Sequence, residues 1–75
     1  MKTQNQIKLF LGNRIEQISY DIEYSTFKKE EVLFYNLQNK LKMIKEICIG
    51  LGLDNDFIIT NINKGRLTFE KDINN

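Results

Sequence analysis

The sequence predicts a mainly helical α+β domain: an antiparallel helical hairpin, about 4–24 and 27–51, followed by a C-terminal β-hairpin, about 57–62 and 66–71. Three observations carry this. Between Phe27 and Leu51 apolar residues recur every three or four positions with no proline to interrupt them. Ile7, Leu11, Ile15, Ile18 and Ile22 fall within one narrow arc at about 100° per residue, the stripe of a helix that packs on one side. Phe57 to Ile62 is rich in β-branched and aromatic residues, Arg66 to Lys71 reads as a second strand, and Asn63-Lys64-Gly65 lies between them.

The first helix has a competitor. Ile18, Tyr20, Ile22 and Tyr24 also alternate with Ser19, Asp21 and Glu23, the period of a half-buried strand. Gly12-Asn13 then becomes a hairpin turn and the fold becomes ββαββ with one central helix. That alternative sets Leu9 opposite Glu16 and Phe10 opposite Ile15, which separates apolar from polar faces poorly. The helix accounts for more of the isoleucines and is preferred.

In the central helix Phe34, Leu37, Leu41, Ile44, Cys48 and Leu51 form the stripe, with Leu33 widening it. Ser25 or Thr26 is available to cap its start. Glu30 and Glu31 lie early and Lys40, Lys42 and Lys45 late, the distribution that the helix dipole favours. At the far end Gly52 suits the left-handed position of a Schellman stop, with Leu53 folding back toward Cys48.

For the C-terminal hairpin, Gly65 is the natural left-handed bulge residue after a type I turn. Pairing Ile62 with Arg66 then puts Phe57, Ile59, Leu67 and Phe69 on one face, which is expected to pack on the helices.

A chain of 75 residues is expected to be one domain, 1–75, with a small core, since such a domain buries only about 60% of its unfolded surface. Charged residues are 28% and the formal net charge is +1, so neither a polyanion-seeking nor an acidic surface is implied. The absence of alanine, proline, histidine and tryptophan, with abundant Ile, Lys and Asn, matches proteins of AT-rich genomes, and the expected source is a low-GC bacterium, its plasmid or its phage. A single cysteine rules out an intramolecular disulfide, and the short apolar cluster near the N-terminus is no signal-peptide core, so a cytoplasmic protein is expected. No apolar run reaches the roughly 20 residues that span a bilayer.

The residue inventory also limits chemistry. Without histidine the commonest general base and metal ligand is missing, and Cys48, on the apolar stripe, reads as a small buried hydrophobe rather than a nucleophile. One cysteine cannot supply a zinc site. Asp54, Asn55 and Asp56 open like a calcium loop, but Ile58 stands where a further oxygen ligand belongs and the loop glycine and closing glutamate are missing. Gly50-Leu51-Gly52 lacks the strand-to-helix setting of a dinucleotide fingerprint and reads as a helix stop. Glu16, Asp21, Glu23, Glu30 and Glu31 remain available as acids or bases, but nothing pairs two of them in an apolar setting, so no enzyme, cofactor or metal is expected.

What remains is surface. Leu9, Tyr20 and Tyr24 project from the first helix opposite its isoleucine stripe, and Val32 and Met43 lie off the stripe of the central helix. These five are the candidate protein-interface residues of a regulatory or binding module acting on a protein partner or as a homodimer. The alternative is a small nucleic-acid-binding regulator using Tyr35, Lys42 and Lys45 of the central helix, although its lysines are scattered rather than striped.

Overall fold

The computed structural model describes residues 3–74 and contains three helices: α1, Gln4–Phe27; α2, Glu31–Gly50; and α3, Asn55–Ile73. Among the described residues there is no strand. The two N-terminal helices are therefore present, and the ββαββ alternative is not. The predicted β-hairpin is replaced by α3.

Local signals define each helix end. Thr3 and Gln6 form a capping box at the start of α1: the Gln6 backbone N–H donates to Thr3 Oγ1 (3.2 Å) and the Thr3 N–H donates to Gln6 Oε1 (2.8 Å). Asp54 caps α3, its carboxylate accepting from the Phe57 N–H at 2.9 Å, so the acidic cluster starts a helix. Ser25 and Thr26 do not cap α2. They belong to the last turn of α1, where both hydroxyls donate back to the Ile22 carbonyl. The cap position of α2 falls to Glu30, which makes no side-chain capping bond.

Both connections are Schellman stops. After α2, Gly52 has φ +81°, its N–H donates to the Ile49 carbonyl (3.0 Å), and the Leu53 N–H reaches Cys48 (2.9 Å), as the glycine placement implied. After α1 the same pattern recurs, Lys29 to Thr26 and Glu30 to Ser25, but the left-handed residue is Lys29 at φ 57°. A side chain in that region costs roughly 1–2 kcal/mol.

α2 folds back along α1, and α3 runs beside α1 in the same direction: Asn61 lies against Gly12, Gly65 against Glu16 and Ser19, and Asp72 against Tyr20. α1 is thus the shared element, and α2 and α3 scarcely touch. Leu11, Ile15 and Ile18 of α1, Leu41 and Cys48 of α2 and Ile58 of α3 form the buried core, flanked by Ile22, Ile44, Leu53, Phe57 and Ile62.

The α1–α3 crossing explains why residues 57–71 are helical. Ile58, Ile62, Gly65 and Phe69 are spaced by four, three and four, one face of a helix. Gly65 is not a turn residue. A methyl group there would overlap the Glu16 carbonyl oxygen and lie 2.8 Å from Ser19 Cβ and 2.9 Å from the Tyr20 backbone nitrogen, so only glycine lets the two backbones meet. Beside it the Ser19 hydroxyl donates to the Ile62 carbonyl at 2.6 Å. Asn61, buried against Gly12, donates its amide to the Phe57 carbonyl at 2.8 Å and so carries no unpaired polar group into the interface. The face expected of the hairpin is split: Phe69 is buried and Phe57 half-buried, while Ile59 and Leu67 point to solvent.

Two glycines are expected to respond in opposite directions. Gly65→Ala forces the helices apart and should cost about 3 kcal/mol, as overpacking at a tight contact does. Gly50→Ala, with nothing within 4 Å of the new methyl, should stabilise by about 0.5–1 kcal/mol. Urea midpoints of both variants check the pair. Lys29→Gly should raise the midpoint by the equivalent of about 1 kcal/mol by relieving the left-handed lysine; an unchanged or lower midpoint would contradict that geometry.

Candidate protein-interaction surface

The five candidate interface residues do not gather into one surface. Tyr20 turns toward α3: its ring packs edge-on against Phe69 (centroids 5.4 Å apart) and its hydroxyl donates to Asp72 Oδ2 at 2.6 Å. It is half-buried in a contact within the chain. Tyr24 remains exposed, with the Lys28 ammonium 5.9 Å from its ring centroid. Leu9 is exposed at the other end of α1, on the rim of a polar cleft that includes Lys8, Asp54, Asp56, Phe57 and Lys64. Fifteen residues of helix, about 22 Å, separate Leu9 from Tyr24.

Val32 and Met43 lie on the outer face of α2, about 140° round the helix from Leu37, Leu41 and Cys48. They are the most solvent-exposed of the five with Leu9, at 77% and 63%. Tyr35, Lys42 and Lys45 share a different flank of α2; Tyr35 and Lys42 are exposed and Lys45 is half-buried. Glu31 and Glu46 border that flank, and the cleft at the α1–α2 turn that includes Tyr35 and Lys29 also holds Glu30 and Glu31. No concentrated positive field results.

The structure adds residues that sequence periodicity placed elsewhere. Ile7 and Leu51, both assigned to core stripes, lie at the open end of the α1–α2 pair and are more than a third exposed. They line one shallow apolar cleft with Leu53. Phe10, one turn beyond Ile7, and Ile47, one turn before Leu51, are half-exposed on the same side. Ile47 was visible as an off-stripe residue, adjacent on the wheel to Met43. Phe10 had no such signal.

Two titratable groups are shifted. Burial pushes the Cys48 thiol above its ordinary range, and the thiol is fully enclosed. The hydrogen bond to Asp72, aided by desolvation, raises Tyr20. Among the described residues no group of three His, Cys, Asp or Glu is gathered to hold a metal ion, and no helix is long and apolar enough to cross a membrane. Comparison with protein-family models, curated proteins and solved structures finds no match.

The pH dependence follows from these shifts. Raised values mean that the folded state holds both protons more tightly than the unfolded chain does, so this stability is fully present below the unfolded values, about 8.5 for a thiol and about 10 for a tyrosine, and is lost as pH rises from there through the higher folded-state values. Urea midpoints should therefore fall as pH rises through the thiol and then the tyrosine range. Cys48→Ala should remove the fall in the thiol range and Tyr20→Phe the fall in the tyrosine range. Cys48 should also resist a thiol reagent until denaturant opens the core.

Proposed function

We propose that the protein is a non-enzymatic interaction module that acts by presenting apolar helix surface to a protein partner or to a second copy of itself. One observation carries this reading. Among the described residues fifteen large hydrophobic side chains are exposed, against eight hydrophobic residues buried. Single exposed hydrophobics are ordinary, but Met43 and Ile47 on the outer face of α2, continued by Leu51, Ile7 and Phe10, lie close enough together to mark an interaction site, with Val32 about three turns away on the same face beyond Asn36 and Asn39. The outer face of α2 is the most exposed part of that surface and leads the proposal. A bacterial or phage regulator acting by occupancy fits a chain of this size.

A nucleic-acid role rests on Tyr35, Lys42 and Lys45, which share a flank of α2 but are bordered by glutamates. Nothing there matches the positive stripe that phosphate contacts need.

Affinity capture from the host and mass measurement test the proposal together. The wild-type chain should retain one dominant protein, or associate with itself as concentration rises. Val32→Lys with Met43→Lys should abolish that binding while helix content by circular dichroism is unchanged. Equal capture by both chains, or none above a blank resin together with a monomeric mass, would contradict it. At low salt no retardation of DNA or RNA is expected; retardation lost on Lys42→Gln with Lys45→Gln would replace this reading with the nucleic-acid one.

A further inference from the structure

The chain exposes more surface than a monomer of its mass should. Its accessible area is 5703 Å², against about 4800 Å² expected for a folded monomer of 8.9 kDa. The excess, roughly 900 Å², is close to the ~800 Å² that each partner contributes to a standard-size protein interface. The radius of gyration agrees: it is 13.0 Å, where a globular chain of 75 residues is expected near 11 Å. Both departures have one structural cause. α3 packs on α1 and hardly reaches α2, so α2 is covered along one side only.

The uncovered surface is most apolar where the C-terminal half of α2 meets the start of α1. Met43 and Ile47 of α2 and Leu51, the residue that caps its end, follow one another by four residues, each at least half exposed. Ile7 shares a cleft with Leu51, and Phe10 follows Ile7 by one turn. We infer that this patch, Ile7, Phe10, Met43, Ile47 and Leu51, binds the same patch of a second copy in a twofold-symmetric dimer.

The inference rests on the interaction reading above and names its partner. A symmetric interface brings the centre of a patch against itself, so a charge there meets its like. All five side chains are uncharged. Lys8 lines the cleft beside Ile7 and Leu51, but its ammonium is turned over the Phe57 ring, 5.2 Å from the centroid, and Lys40 on α2 has a flexible stem that carries its ammonium to a wet rim. A net charge of +1 adds little repulsion between copies. The excess surface of the chain as a whole is the size of one partner's share of an interface, and a second copy supplies a patch of matching chemistry.

Sedimentation of the full chain from low to high micromolar concentration reads the outcome. Wild type should shift from one to two chains in mass, and Ile47→Asp should weaken dimerisation by about tenfold or more, since each patch then carries a buried like charge. Leu67→Asp, equally exposed but on α3 and outside the patch, should dimerise as wild type does. Met43→Asp repeats the test at a more exposed position if Ile47→Asp loses helix content. A wild type that stays monomeric throughout, or a folded Ile47→Asp that dimerises normally, would overturn the dimer. A monomer that binds a different protein through Ile47 would overturn the second copy as partner and leave the interaction module standing; a monomer that binds nothing would overturn both.

Discussion

The contact on which the structure turns is the close approach of α3 to α1 at Gly65. There the α3 backbone lies directly on the α1 backbone around Glu16, Ser19 and Tyr20, with no room for even a methyl group. Contacts this close strengthen dispersion and let Ser19 reach across to the Ile62 carbonyl. Asn61 against Gly12 extends the same small-residue seam one turn toward the N-terminus, and the Tyr20 pairing with Phe69 and Asp72 closes it at the other end. Without that seam α3 would have only its contacts with the shared core to hold it, because α2 offers it almost nothing.

The same arrangement sets the limits of the core. α1 spends one face on α3 and the adjacent one on α2, with Leu11, Ile15 and Ile18 in the core shared with Leu41 and Cys48 of α2 and Ile58 of α3. α2 buries Leu37, Leu41 and Cys48, half-buries Phe34 and Ile44, and leaves Val32, Met43 and Ile47 to solvent. A small chain is short of buried area in any case; placing its third helix beside α1 instead of in the cleft between helices leaves apolar surface uncovered. The fold and the proposed function thus have one origin.

Much of this was legible in the residues. The isoleucine stripe of α1 and the Leu37-Leu41-Cys48 stripe of α2 predict both helices, and Gly52 with Leu53 predicts the stop between α2 and α3. The C-terminal third was misread because two local signals agreed on the wrong answer. Ile58, Ile59, Thr60 and Ile62 are β-formers by intrinsic preference, and a glycine after Asn63-Lys64 has the pattern of a turn. The competing evidence was there: Asp54 three residues before Phe57 is a helix N-cap, and Ile58, Ile62, Gly65 and Phe69 keep helical spacing. In a chain with no alanine, β-branched residues must fill helices, and tertiary packing overrides their preference. The candidate surface was legible in part. Val32, Met43, Leu9 and Tyr24 are exposed as off-stripe residues should be, whereas Tyr20 is held by Phe69 and Asp72 of α3, where the sequence pattern predicts a strand.

That helix is also the point at which the account is most directly tested. Nuclear magnetic resonance of the labelled chain gives both the backbone state of residues 57–71 and what Gly65 touches. The account predicts helical Cα shifts without a break at residues 63–65 and nuclear Overhauser contacts from the Gly65 Hα protons to Glu16 and Ser19. Extended shifts on either side of Gly65, with cross-strand contacts between Ile59 and Phe69, would contradict it.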